Sequence, residues 1–290
     1  MCECADVRIC EFLKAGSMNS QIRTSAHSHI IHIFTPMKQI PNLLTLLNLF
    51  FGCLAIISIL QNGISIMYNA DGTQLVDMPE KIWMASLFIG LAAAVDFLDG
   101  FAARLFKSNS AMGKELDSLA DVVSFGVAPG MILYQFLRMS FMKQENGVDV
   151  SLLWLLPALL IPCAAAYRLA KFNLDDSQRY SFKGVPTPAV GLLIASFPLI
   201  YWTADNETVV NVLLNKWIIY AIIIFLVYCM ISNLPLMAFK FKDFSLKNNL
   251  PRFILFLIAL VAVVFLHWLA VPVIFIFYII ISLAFKNKIS

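Results

Sequence analysis

Charge is what this sequence has least of. Asp, Glu, Lys and Arg together make up 13% of its 290 residues, against 60% hydrophobic residues. That balance, with a mean hydropathy of +0.80, excludes an ordinary soluble domain. A net charge of +3 is too small for a nucleic-acid partner to be expected. Cysteine is also scarce, and no disulfide framework is evident. Cys53, Cys163 and Cys229 lie in apolar runs, where a thiol behaves as a small hydrophobe. Cys2, Cys4 and Cys10 have no standard metal-ligand spacing. No internal repeat is visible beyond a succession of apolar stretches. No segment reads as a basic start, an apolar run and a small-residue cleavage site. His267 is the only histidine in the apolar part, and no Ser–His or Cys–His nucleophile pair stands out.

What remains is a polytopic membrane helix bundle. Eight apolar spans are expected near residues 42–62, 82–105, 117–139, 151–173, 185–203, 212–232, 251–268 and 270–286. The last two are short, so they form either two tilted helices or one re-entrant hairpin. Residues 1–36 are polar and lack helical periodicity. Their histidines, His27, His29 and His32, have no supporting ligands nearby, and the stretch reads as a disordered extension or a mis-assigned start before Met37. Residues 37–290 then form one integral-membrane domain. Lys and Arg concentrate in alternate connections: Arg104, Lys107 and Lys114; Arg168, Lys171, Arg179 and Lys183; Lys240, Lys242, Lys247 and Arg252; and Lys286 and Lys288 at the end. The other side has Lys81, Arg138, Lys143 and Lys216. The positive-inside rule makes the rich side cytoplasmic, with both termini on it.

The few acidic groups are not scattered. Residues 96–121 read DFLDGFAARLFKSNSAMGKELDSLAD, with apolar sequence on both flanks. Asp96 and Asp99, three apart, share a helix face with Gly100, Ala103 and Arg104 in the same half. Asp117 and Asp121 are about 40° apart on the next helix. The intervening KSNSAMG has turn composition. Two antiparallel helices thus aim two carboxylate pairs at one spot. Charges in such company are costly unless paired or bound to metal. Hard divalent cations take oxygen ligands, and a metal so held can hold phosphate. Gly100 and Gly113 let a bulky ligand lie against backbone. Arg104 suits phosphate. In the first span Asn42, Thr45 and Asn48 share about 120° of helix surface. They either join helices or line the ligand cavity. Arg168, Lys171 and Asn173 form a polar cluster at the cytoplasmic end of the fourth span, where the two cations suit a carboxylate or a lipid phosphate or simply follow the positive-inside rule.

The pattern D-x2-D-G-x2-A-R-x8-G-x3-D-x3-D resembles the signature of the CDP-alcohol phosphatidyltransferase family at every position. IPNLLTLLNLFFGCLAI at 40–56, DSLADVVSFGVAPG at 117–130, YRLAKFN at 167–173 and FKGVPTPA at 182–189 resemble its phosphatidylserine synthase branch. That resemblance implies a six-helix catalytic core, here with about two further C-terminal spans. It implies two divalent ions, Mg²⁺ or Mn²⁺, a homodimer, and a place in the bacterial cytoplasmic membrane with the site facing the cytoplasm. The implied reaction is CDP-diacylglycerol plus L-serine giving phosphatidylserine and CMP. Carried over by residue, Asp96, Asp99, Asp117 and Asp121 hold the metal, and Asp121 is also the general base. Asp96, Asp99, Gly100, Ala103, Arg104, Gly113 and Asp117 hold the CDP moiety. Arg168, Lys171 and Asn173 take serine or phosphate, and Asn42 and Thr45 line the cavity. The branch often has Arg where Lys171 stands, and a lysine loses bidentate geometry. The alternatives are another alcohol (glycerol phosphate, inositol phosphate or choline) and, from another class, an ion-coupled transporter. The transporter fits less well, because the carboxylates cluster at one membrane edge.

Overall fold

The computed structural model describes residues 36–61, 65–68, 74–77, 82–105, 110–143, 150–174, 182–204, 206–236 and 246–285. The expected extension before Met37 lies almost wholly outside them. The architecture is a helix bundle. Its helices are α1 (Pro36–Leu60), α2 (Ile82–Leu105), α3 (Ala111–Asp121), α4 (Ala128–Met142), α5 (Leu160–Leu174), α6 (Thr187–Thr203), α7 (Glu207–Leu213), α8 (Lys216–Ile231), α9 (Leu246–Leu266) and α10 (Ala270–Ala284). Two short antiparallel ribbons complete it: β1 (Ser65–Tyr68) with β2 (Gln74–Asp77), and β3 (Phe182–Lys183) with β4 (Pro235–Leu236).

Burial follows helical spacing. On α2 the buried positions are Ile82, Ala85, Ser86, Ile89, Ala92, Val95, Asp99 and Ala102, which form one stripe. The small residues in it let α1 pack closely against α2 along its length. The same stripe carries Asp99 inward at its end. Between α3 and α4 the helix does not stop; Val122–Val127 form a π-helical turn, and Ala111–Met142 is one continuous path of 32 residues. Pro129 explains the turn, since it has no N–H to return to the carbonyl four residues back. The ladder widens just before it, and Ala128 donates to the carbonyl of Val123, five residues back. The turn is packed from three sides. A Cβ on Gly52 of α1 would lie 2.4 Å from Ser124 Oγ, so only glycine allows that approach, while α5 and α6 close the other sides.

The described residues contain four helical paths long and apolar enough to cross a membrane: Gln39–Leu60, Ile82–Leu105, Ala111–Met142 and Pro251–Ala284. The α7–α8 pair, bent by 58°, makes a possible fifth. Eight full spans are therefore not confirmed among the described residues. The expected fourth span begins in two 3-10 turns around Pro157, so its α-helix starts only at Leu160. The fifth, α6, has 17 residues and is short for a crossing. The third starts earlier than expected, because Ser110 caps α3 by accepting from the Gly113 N–H at 2.9 Å. The last two form one apolar path broken at His267, whose φ is 48°, and its arms α9 and α10 pack on each other.

Candidate active site

Three helices build the acidic centre. α2 supplies Asp96 and Asp99, and α3 supplies Asp117 and Asp121. One oxygen from each of Asp96, Asp99 and Asp117 falls within 4.8 Å of the others. Asp121 stands outside that trio, and its side chain meets that of Asp96. α1 supplies the neutral partners. Thr45 Oγ1 lies 2.8 Å from Asp99 Oδ2, and Asn48 Nδ2 donates to Asp121 Oδ1 at 3.2 Å. Asp99 and Asp121 are only 6% and 7% exposed. Asp117 Oδ1 is buried with no hydrogen-bond partner. Like charges this close, with an orphaned oxygen among them, repel strongly away from water. Three converging carboxylates fit a hard divalent cation, which takes oxygen ligands.

Two cavities meet at this centre. The larger, about 490 Å³, is lined by Pro41, Asn42, Thr45, Asp99, Gly100, Ala103, Ser110, Ala111, Gly113, Lys114 and Asp117. A Cβ on Gly113 would come within 3.0 Å of Asn42 Oδ1, so a larger side chain there would press on that wall. The smaller, about 200 Å³, is lined by Lys114, Asp117, Ser118, Asp121, Arg168, Leu169, Phe172, Asn173, Pro186 and Pro188. Asp117 and Lys114 belong to both. Arg168 is buried, and it donates from Nη1 to Thr187 Oγ1 at 3.1 Å while its Nε has no partner. Asp121 lies within its electrostatic reach across the smaller cavity.

The sequence-predicted residues divide accordingly. Asn42, Thr45, Asp99, Gly100, Ala103, Gly113 and Asp117 face the larger cavity; Asp117, Asp121, Arg168 and Asn173 face the smaller. Asp96 joins the carboxylate trio behind them. Two residues go elsewhere. Arg104 turns back along its own helix, donating from Nε to the Gly100 carbonyl at 2.8 Å, and lines neither cavity. Lys171 donates to Asn233 Oδ1 at 2.8 Å, on the side of α5 that faces the end of α8. It lies three positions beyond Arg168, and Asn233, in the link between α8 and β4, is the acceptor it takes. Sequence reasoning missed Lys114 and Ser118 as lining residues. They occupy unspecified positions of the aspartate pattern, and only their hydrogen bonds reveal them. Lys114 Nζ donates to the Asn173 carbonyl at 3.2 Å, and Asn173 Nδ2 donates to Ser118 Oγ at 2.8 Å, which ties the end of α5 to α3.

A ribbon clamps the mouth of α6. The Gly184 N–H donates to the Leu234 carbonyl and the Val185 N–H to the Cys229 carbonyl. Gly184 has a φ of 79°, and a Cβ there would lie 2.7 Å from the Met230 carbonyl oxygen. Only glycine satisfies both conditions. This clamp fixes Pro186, Thr187 and Pro188, and through Thr187 it fixes Arg168.

Comparison with known proteins agrees with that geometry. A protein described as CDP-diacylglycerol–serine O-phosphatidyltransferase from Helicobacter pylori is 33% identical over 230 residues, covering 78% of this chain and 81% of that protein. One so described from Bacillus subtilis is 37% identical, over 56% of this chain and 77% of its own. An archaetidylserine synthase of Methanothermobacter thermautotrophicus is 32% identical, over 57% and 60%. The family model for CDP-alcohol phosphatidyltransferases matches residues 38–228, a range that holds all four aspartates and both polar cavities, and the chain belongs to that family.

Proposed function

We propose that this chain transfers the phosphatidyl group of CDP-diacylglycerol to the hydroxyl of L-serine, giving phosphatidylserine and CMP. The observation that carries the reading is the meeting of two unlike polar cavities at Asp117 and Lys114. A donor and an acceptor must meet at the phosphorus, and two cavities that share Lys114 and Asp117 support that reading.

The larger cavity takes the CDP moiety, against the small surfaces of Gly100, Ala103 and Gly113 and beside Asn42 and Thr45. Asp96, Asp99 and Asp117, with Asp121 beside them, would hold Mg²⁺ or Mn²⁺, two ions in all. When bound, the metal supplies charge neutralisation for the diphosphate and stabilisation of the departing CMP. The smaller cavity takes serine. Arg168, held by Thr187, has spare N–H donors for its carboxylate, a charge-assisted pairing. Asn173 and Ser118 close the wall beside it. Asp121 faces this cavity and accepts the proton of the serine hydroxyl as that oxygen bonds to phosphorus and the bond to the CMP oxygen breaks. Asn48 holds Asp121 in place through Oδ1. Lys114, at the junction, adds positive charge where the two substrates meet. Arg104 and Lys171 have no part in binding on this reading. The protein resides in the bacterial cytoplasmic membrane as a homodimer, its lysine-rich edge and its site facing the cytoplasm.

The test is incorporation of radiolabelled serine into chloroform-soluble lipid by purified protein, with CMP released in equal amount. Dependence on CDP-diacylglycerol is the expected result. Incorporation of glycerol phosphate or inositol phosphate in place of serine would move the acceptor, and no transfer to any alcohol would reject the reading.

A further inference from the structure

We infer that Lys114, Ser118 and Asn173 form a staple across the smaller cavity, and that this staple sets the length of the acceptor the cavity takes. The three are positioning residues. The inference rests on the reading that the smaller cavity takes serine with its carboxylate on Arg168.

The smaller cavity is a gap between two helices. α3 lines it with Lys114, Ser118 and Asp121, which share one face, and α5 lines it with Arg168 and Asn173. α3 and α5 make few direct contacts, whereas α5 packs closely on the π-helical turn that follows α3. At that turn a Cβ on Gly126 would lie 2.9 Å from the Cβ of Ala165, three positions before Arg168. Close contact therefore pins the two walls together at this end.

At the other end three hydrogen bonds close a ring. Lys114 Nζ donates to the Asn173 carbonyl at 3.2 Å, Asn173 Nδ2 donates to Ser118 Oγ at 2.8 Å, and Ser118 Oγ donates to the Lys114 carbonyl at 3.1 Å. The Asn173 carbonyl belongs to the last turn of α5, where a helix leaves its carbonyls without internal partners and gathers partial negative charge. A lysine ammonium meets both needs. The Ser118 hydroxyl accepts one bond and donates another, so its loss breaks two of the three.

Asp121 and Arg168 line the cavity between these two fixed ends. The base stands on one wall and the carboxylate's anchor on the other. An acceptor has to reach from Arg168 to Asp121, so the width of the gap measures the distance from its carboxylate to its hydroxyl. A wall free to swing would accept a longer hydroxy acid. A wall pinned at both ends rejects one, and a single extra methylene in a fitted site costs about tenfold or more in kcat/KM.

The experiment compares kcat/KM for serine with that for homoserine, which has one more methylene before its hydroxyl. It uses the full-length chain and its variants Ser118→Ala, Lys114→Met and Lys114→Arg. Lys114 is exposed and Ser118 half-buried, so neither change empties the core. Any effect of Lys114 on CDP-diacylglycerol applies to both acceptors and cancels in the ratio. The parent protein is expected to prefer serine. Ser118→Ala and Lys114→Met should each lower that preference about fivefold, the worth of roughly one hydrogen bond, and Lys114→Arg, which keeps a donor and the charge, should retain it. An equal fall for both acceptors, with the ratio unchanged, overturns the inference and leaves the ring a support for the fold. A lowered preference in Ser118→Ala alone overturns it too, since the hydroxyl then touches the acceptor itself. So does a parent protein that uses both acceptors equally, or a complete absence of homoserine transfer by every variant. Transfer to another alcohol and to neither amino acid removes the serine reading itself, a failure distinct from the others.

Discussion

The two polar cavities share Asp117 and Lys114 yet are built on opposite principles. The larger is walled by residues with almost no side chain, Gly100, Ala103, Ala111 and Gly113, and its charge is carboxylate. Among the described residues such a wall has no cation apart from Lys114, so it suits an anionic ligand that comes with bound metal. The smaller is walled by Arg168, Asn173, Ser118 and two prolines, and its cation is built in. It suits a small anion without metal. The difference matches a reaction between a diphosphate and an amino acid. It also separates what should fail together from what should fail alone.

The largest effect should come from the metal side. EDTA, or Asp117→Ala, is expected to reduce serine incorporation about a thousandfold or more, the rate equivalent of several kcal/mol of lost charge stabilisation. Mg²⁺ or Mn²⁺ should restore the EDTA-treated protein but not the variant. Asp117 borders both cavities, so full activity in excess chelator would erase the contrast between them. Next is Asp121→Asn. Asparagine keeps the shape and one oxygen but cannot take a proton. Turnover should fall at least about a hundredfold, while affinity for CDP-diacylglycerol stays within about tenfold. Joint collapse of affinity and turnover would make Asp121 chiefly a metal ligand. A smaller, selective effect is expected from Arg168→Ala and Asn173→Ala, with the serine KM raised about tenfold and the lipid KM little changed. Lys171→Ala, which touches Asn233 and not the cavity, should change either KM less than about twofold. A reversed pattern, with the lipid KM rising in Arg168→Ala, would assign phosphate to the smaller cavity. The smallest effect concerns neither cavity. A chain starting at Met37 should reach the membrane and turn over at the full rate, and its loss of activity at equal abundance would give residues 1–36 a role.

Much of this was legible in the sequence, for definable reasons. The carboxylate cluster depends on helical periodicity within two adjacent helices, and spacing reports that directly. Asn42, Thr45 and Asn48 were visible as a stripe, but a stripe does not say whether its polar groups join helices or face a ligand. In the structure Thr45 does both, lining the larger cavity while it contacts Asp99, whereas Asn48 contacts Asp121 and lines neither cavity. Arg104 and Lys171 show where local pattern stops. Both side chains are long, and each is drawn to a nearer acceptor, the Gly100 carbonyl and Asn233, that no short-range pattern reveals. The count of eight spans is not confirmed, for a different reason. Hydropathy measures apolar length, whereas Pro157 and the turn at His267 decide how much of that length is regular helix.

The π-helical turn after Asp121 has a consequence for how this stretch can change. Each residue added to or removed from a helix rotates everything beyond it by about 100°. The turn at Val122–Val127 works as a phase offset between two faces of one rod: the acidic face of α3, aimed at α2, and the packed face of α4, aimed at α6. Lengthening or shortening the rod by one residue would leave every aspartate present and every apolar residue apolar, yet swing one face away from its partner. A substitution at Gly126 acts locally, since a Cβ there would press on Ala165, whereas an insertion or deletion acts on everything beyond it. The count of residues between Asp121 and Pro129 is thus as much an instruction to the fold as their identities are.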